Sequence, residues 1–283
     1  MNIFMVSSEA YPFSKTGGLG DIAGSFPLVL SSMKFGSSKI NASLLIPLYK
    51  QNYKLISKKN IIAEFQIEYG KETIKTEIAK IKHPENDNVD IYFIKQDSMF
   101  KRNGIYSENG NDYPDNAGRF ILFSKAVIKL IIHLYKEEKF KLDIVHIHDW
   151  QTALTALYIK EVYNEEKALE NIKVIFTIHN LAYQGNFPTN IYPLLNISWK
   201  FFVHSRLEFY GYVSFIKAGI ILSDIVTTVS PSYSLEIQRE EFGCGMNNLL
   251  MDISYKLYGI LNGVYDNSWN PKTDKHIKRY IFD

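Results

Sequence analysis

A chain of 283 residues, 46% hydrophobic and 22% charged, has the composition of an ordinary globular protein and the length for one large core or two smaller ones. Its net charge of +2 gives no reason to expect a nucleic acid or an acidic membrane as partner. The single cysteine, Cys244, excludes an internal disulfide framework and any multi-cysteine zinc site, and a cytoplasmic location is the default expectation. The N-terminus reaches Glu9 without the basic start and long apolar stretch of a signal peptide. The most apolar later segment, Phe120 to Leu134, is interrupted by Lys125 and Lys129, so no membrane span is expected.

The chain opens on Asn2-Ile3-Phe4-Met5-Val6, a strand-like run. It then passes through Lys15-Thr16-Gly17-Gly18-Leu19-Gly20-Asp21 into Ile22, Ala23, Phe26, Val29, Leu30 and Met33 at helical spacing. That order is strand, glycine loop, helix. Glycines at 17, 18 and 20 let the backbone take positive φ and let a ligand approach without meeting a Cβ, and a helix N-terminus offers unpaired N–H groups to an anion. Lys15 adds a positive charge. A plainer reading is a tight turn with Asp21 as N-cap and Lys15 on the surface. The spacing fits neither a Walker A loop, whose lysine follows the glycines, nor the G-x-G-x-x-G of dinucleotide folds.

Ala42 to Pro47 reads as a second strand, and Ile61 to Ile81, around Gly70-Lys71, as an antiparallel hairpin or flap beside the main sheet. Val89 to Ile94 is another strand, followed by a polar, glycine-bearing surface loop from Asp97 to Asn116. A long helix over Gly118 to Lys136, a strand over Leu142 to Ile147, a helix over Gln151 to Tyr163 and a strand over Ile172 to Ile178 continue the alternation. One or two helices are expected around Trp199 to Ile221, then a strand at Ile225 to Val229. The fold class is therefore α/β: a parallel sheet with right-handed crossovers and helices on both faces, its ligands beyond the carboxyl ends of the strands.

Five strand-end clusters line that crevice by this rule: Lys15 to Asp21, His146 to Trp150, His179 to Gly185, Ser230-Pro231-Ser232 and Asn262-Gly263. His146 and His148 alternate on a strand, so both point to one face and could share a metal, the start of a metal-dependent hydrolase. They could equally be a structural pair. A third reading is sugar binding, with Asp149 accepting from hydroxyls and the Trp150 ring covering an apolar sugar face. His179-Asn180 places short polar side chains at the next strand end, where a lone histidine is either a structural hydrogen-bonder or a group that holds a sugar hydroxyl. In the loop before the long helix, Asp115 or Asn116 can be an N-cap, while Tyr106 and Tyr113 suit stacking on sugar rings.

Lys15 to Asp21, just after Ser7-Ser8-Glu9-Ala10-Tyr11-Pro12, resembles the N-terminal signature of bacterial glycogen synthases and plant starch synthases. Val145 to Leu154 resembles a second signature of that family, and Phe176 to Gly185 a third almost residue for residue. Phe215 to Gly219, Val226 to Tyr233 and Gly259 to Val264 follow in family order. The likeness spans essentially the whole chain and is weakest from about Asn52 to Asp97. Tyr265-Asp266-Asn267 departs from it, because the family usually has an aspartate directly after the valine.

The resemblance implies a GT-B glycosyltransferase with two Rossmann-like domains and the active site between them. Residues 1–262 would be the N-terminal, acceptor-side catalytic domain and 263–283 the start of the interdomain linker, with the C-terminal nucleotide-binding domain absent. The implied reaction transfers glucose from ADP-glucose to the non-reducing end of an α-1,4-glucan with retention of configuration, without metal or cofactor. Lys15, Gly17 and Gly18 would face the donor phosphates, and Asp21 and Asn262 would hold sugar or phosphate-side groups. Asp149 and His179 would contact glucose as the catalytic pair, with Trp150 and Asn180 beside them and Tyr106 lining the acceptor. Without the second domain the chain is expected to be inactive alone; the alternative is a non-catalytic glucan-binding remnant of a split gene.

Overall fold

In β1 (Asn2–Val6), Phe4 and Val6 enter one apolar cluster while Met5 enters another, so the strand is covered on both faces. The same alternation in β2 (Asn41–Pro47) sends Leu45 one way and Leu44 and Ile46 the other. The computed structural model describes residues 1–265, 269–272 and 277, and these two strands lie at the centre of its nine-stranded sheet. The remaining strands are β3 (Ile61–Tyr69), β4 (Glu72–His83), β5 (Asn86–Lys95), β6 (Ile144–His148), β7 (Lys173–Ile178), β8 (Ile225–Thr228) and β9 (Leu257–Gly259). Their order across the sheet is β9-β8-β7-β6-β1-β2-β5-β4-β3, parallel from β9 to β5 and antiparallel beyond.

Helix α1 (Gly18–Ser32) packs Leu19, Ala23 and Leu28 on one face. On the other lie α2 (Asn116–Glu137), α3 (Trp150–Leu157) and α4 (Phe215–Leu222). Phe120, Ile121 and Phe123 of α2 are fully buried there, each worth about 1.5–3 kcal/mol in apolar area removed from water. The chain leaves β1 for one side of the sheet and returns to β6 on the other side of β1. The loops after β1 and β6 therefore part, and the crevice that a parallel sheet offers a ligand opens at their ends.

The architecture departs from expectation or adds to it in four places. The Ile61 to Ile81 hairpin is no separate flap: β4 pairs with β5 through Ile78↔Ile94 and Ile81↔Ile91, extending the main sheet at its edge. Between Trp199 and Ile221 the expected one or two helices come down to α4. Ahead of it come a 3₁₀ turn, Trp199–Phe201, and a small antiparallel sheet of Asn186–Phe187, Glu208–Phe209 and Tyr212–Ser214. Tyr210 and Gly211, at φ 49° and 81°, form the positive-φ pair that a two-residue hairpin turn demands. The Asp97 to Asn116 segment is less superficial than expected, since it carries a short helix, Asp97–Phe100, and buries Phe100 and Ile105. β9 is an additional strand at the edge, and Asp266, Asn267 and most of the 263–283 segment lie outside the described residues.

Candidate active site

The loop after β1 is organised by Glu9, only 3% exposed. Its carboxylate accepts from the Thr16 backbone N–H, from Thr16 Oγ1 at 3.0 Å and from the Tyr106 hydroxyl at 3.3 Å. Ser8 Oγ lies 2.6 Å from the same tyrosine oxygen. The glycine loop is thereby tied down at its start. Gly17 is the N-cap of α1 and has an extended backbone, so Asp21 falls within the first turn and is not the cap. None of glycines 17, 18 and 20 takes positive φ. What they supply is approach: a Cβ at Gly17 or Gly18 would meet nothing within 4 Å, whereas one at Gly20 would strike the Lys15 side chain at 2.9 Å. Gly17 and Gly18 are exposed, so the N-terminal turn of α1 can be approached by an anion, although the Gly20 N–H is taken by Gly17 O at 3.2 Å.

Lys15 Nζ is paired with Asp21 Oδ1 at 2.7 Å and lies 5.7 Å from the centre of the Trp269 ring. Gly18, Asp21, Asn262 and Trp269 line one cavity of about 260 Å³, so residues from the two ends of the chain share a wall. Tyr106 is half-buried, its ring against Phe120 and its hydroxyl turned toward Ser8 and Glu9. Burial, and then the Glu9 charge, push that hydroxyl well above the usual phenol range, so it stays protonated. Asp115 occupies the N-cap position of α2 without capping it through its side chain; the carboxylate instead holds Arg102 at 2.7 and 2.5 Å.

At the end of β6, Asp149 has φ 55° and ψ −179°, a conformation close to the glycine-only region that costs about 1–3 kcal/mol. The turn aims its buried carboxylate across to β7, where Oδ1 accepts the His179 backbone N–H at 2.7 Å. Burial raises its pKa to about 7, opposed by the N–H groups of His179 and Asn180 and aided by the Glu9 charge. His148 Nδ1 and His179 Nε2 are 3.0 Å apart, and His146 Nε2 is 2.6 Å from Thr177 Oγ1. Burial pulls the pKa of His179 to about 4 and that of His146 to about 3, the latter lowered further by His179, so the rings are neutral at ordinary pH.

Two expectations fail here. Trp150 does not offer a sugar-stacking face. It is 9% exposed, with ring contacts to Phe120, Phe187 and Phe215, and Gly185 crosses it so closely that an added Cβ would lie 2.5 Å from the ring. The metal-dependent hydrolase lacks its donor set: the Asp149 carboxylate goes to a backbone N–H, the imidazoles to each other and to Thr177. No cluster of three or more His, Cys, Asp or Glu side chains suited to a metal occurs among the described residues. Asn180 is exposed at the site, with Oδ1 accepting from Ala182 N at 3.0 Å in a local turn. Ser230 is an N-cap, accepting from Tyr233 N at 3.0 Å, and Asn262 is held by its backbone N–H on Val229 O at 3.3 Å. Sequence reasoning missed Glu9 and the link between His148 and His179; a carboxylate just past a strand end, inside a motif, was the available sign of the first.

Similarity to known proteins follows the same outline. Residues 2–252 match the family model described as starch synthase catalytic domain. Glycogen synthase of Thermodesulfovibrio yellowstonii is 38% identical over 99% of this chain and 57% of its own length, and that of Koribacter versatilis 39% identical over 98% and 54%. The chain thus spans about half the length of these relatives. The catalytic domain of starch synthase IV from Arabidopsis thaliana, solved with ADP and acarbose, superposes with a TM-score of 0.80 at 28% identity, over 98% of this chain and 54% of that one. The sheet and its flanking helices are the N-terminal Rossmann-like half of the GT-B architecture. The chain belongs to the glycogen and starch synthase family of glycosyltransferases and corresponds to the N-terminal part of its catalytic region.

Proposed function

We propose that this chain forms the acceptor-side wall of a retaining glucosyltransferase that moves glucose from ADP-glucose to the non-reducing end of an α-1,4-glucan in the cytoplasm. Residues 1–262 are the folded wall, and 263–283 begin the connection to a second, nucleotide-binding half. The observation that carries the reading is placement: the open Gly17-Gly18 backbone, Lys15 and Asp21 follow the carboxyl end of β1 and His179 follows that of β7, the end of an α/β sheet where ligands bind. In this role the α1 N-terminus and Lys15 face the donor phosphates. The Lys15–Asp21 pair is a partly exposed ion pair worth about 0–1 kcal/mol, so a phosphate can draw the lysine away at little cost. Asp21 and Asn262 meet the sugar or phosphate side, while His179, Asp149 and Asn180 meet glucose and Tyr106 borders the acceptor. A neutral His179 can hold a sugar hydroxyl without setting a like charge beside the positive charge that develops on the donor sugar.

Donor phosphates carry more charge than one lysine and a helix end neutralise, so transfer requires cationic groups from a second half. The 283-residue chain alone folds but does not turn over. The test joins it to the C-terminal half of a two-domain relative and measures glucose incorporation into glycogen from ADP-glucose. Activity in the joined protein, with loss of roughly a hundredfold or more in His179→Ala, is the expected result. Equal activity of that variant removes His179 from the site, and glycogen retention on an affinity gel without any transfer by the joined protein supports the glucan-binding alternative.

A further inference from the structure

We propose that His148 is a positioning residue that holds the His179 ring in its Nδ1–H tautomer; the consequence for catalysis rests on the reading that His179 faces the donor sugar. The two rings meet through His148 Nδ1 and His179 Nε2 at 3.0 Å, a contact that can contain only one proton when both rings are neutral. Burial, with His146 and His179 alongside, holds His148 well below the imidazole range, so it carries a single proton. The choice of donor is decided at the other side of its ring. His148 is 0% exposed, and its Nε2 is buried with no hydrogen-bond partner among the described residues.

Were His179 the donor, the His148 proton would sit on Nε2 as a buried N–H with no acceptor, which costs about 1–3 kcal/mol and is among the rarest defects in folded proteins. With His148 as donor, Nε2 keeps only a bare lone pair. The proton therefore lies on His148 Nδ1 and points at His179 Nε2. His179 must then carry its own proton on Nδ1, which makes no hydrogen bond within the described residues and is left as a donor. Toward a sugar hydroxyl that edge offers an N–H; the other tautomer would offer a lone pair.

The surroundings make this arrangement rigid. His148 is pinned by its backbone N–H on Thr152 Oγ1 at 2.7 Å, and the His146 ring lies tilted beside it, centres 4.3 Å apart, while bonding to Thr177 instead, so it does not compete for the His148 proton. Asp149, the next residue, holds the His179 backbone N–H at 2.7 Å. Two consecutive residues of one strand end thus fix the backbone and the ring of the same histidine.

The test reads ring protonation directly. Two-bond proton–nitrogen correlations on the uniformly ¹⁵N-labelled chain at neutral pH should show His179 neutral with its proton on Nδ1. In His148→Phe, which keeps an apolar ring but no donor, the His179 signals should move toward the Nε2–H form; in His148→Asn, whose amide N–H can replace Nδ1–H, they should stay near the wild-type position. A wild-type His179 protonated on Nε2, or a folded His148→Phe protein with His179 still wholly Nδ1–H, overturns the proposal. Should the phenylalanine variant not fold, the wild-type spectrum alone decides. No sugar or second domain enters the measurement, so absence of transferase activity would count against the functional reading and leave this result standing.

Discussion

Replacing Asp149 with asparagine probes the electrostatics of the strand end. Asp149 is 8% exposed, and burial, only partly offset by the His179 and Asn180 N–H groups, raises its pKa to about 7. In the unfolded chain an aspartate titrates near about 3.9. The folded state therefore keeps the proton longer. Stability from this group is complete below about pH 4 and is lost as pH rises through about 7. Between pH 5 and pH 8 the two titration curves separate by about 2–3 kcal/mol of unfolding free energy. Asparagine has no such proton, yet its Oδ1 can still accept the His179 N–H, and the strained backbone is common to both proteins. Urea unfolding of wild type and Asp149→Asn at the two pH values should show the variant gaining on wild type by about 2–3 kcal/mol on going from pH 5 to pH 8. The neutral histidines act with the opposite sign, adding stability as pH rises toward the usual imidazole range, but they are present in both proteins and cancel in the difference. An identical pH dependence in the two proteins refutes a buried, proton-retaining carboxyl.

Lys125 is 4% exposed and donates from Nζ to Glu68 O, Leu194 O and Asn196 Oδ1 at 2.8, 2.7 and 2.7 Å. Burial pulls its pKa to about 7, but three acceptors at once use all three protons of the ammonium form, so Lys125→Met should cost about 2–4 kcal/mol in urea unfolding. A loss under about 0.5 kcal/mol would show that these carbonyls find other partners. Gly185 has φ 59° and its absent Cβ would press on the Trp150 ring at 2.5 Å; Gly185→Ala should therefore cost at least about 2 kcal/mol and lower Tm. An unchanged melt would mean that the indole is free to move aside.

Local patterns carried the architecture. Short apolar, β-rich runs at Asn2 to Val6 and Ile172 to Ile178, alternating with helical spacing in α1 and α2, required a parallel sheet covered on both faces. That sheet by itself puts Lys15 to Asp21, Asp149 and His179 beyond strand ends. Those signals are legible because neighbours in sequence set side-chain direction. Exposure and pairing are set by residues brought in from elsewhere. Trp150 reads as an aromatic ring beside a sugar site until Phe120, Phe187 and Phe215 enclose it. The Glu9 contact to Tyr106 spans 97 residues and the His148–His179 contact 31, and in both a polar group needs its partner because burial has removed water. The hairpin at Ile61 to Tyr69 and Glu72 to His83 is visible in the sequence, but its place at the sheet edge follows from the unpaired side of β5, which only the assembled sheet presents.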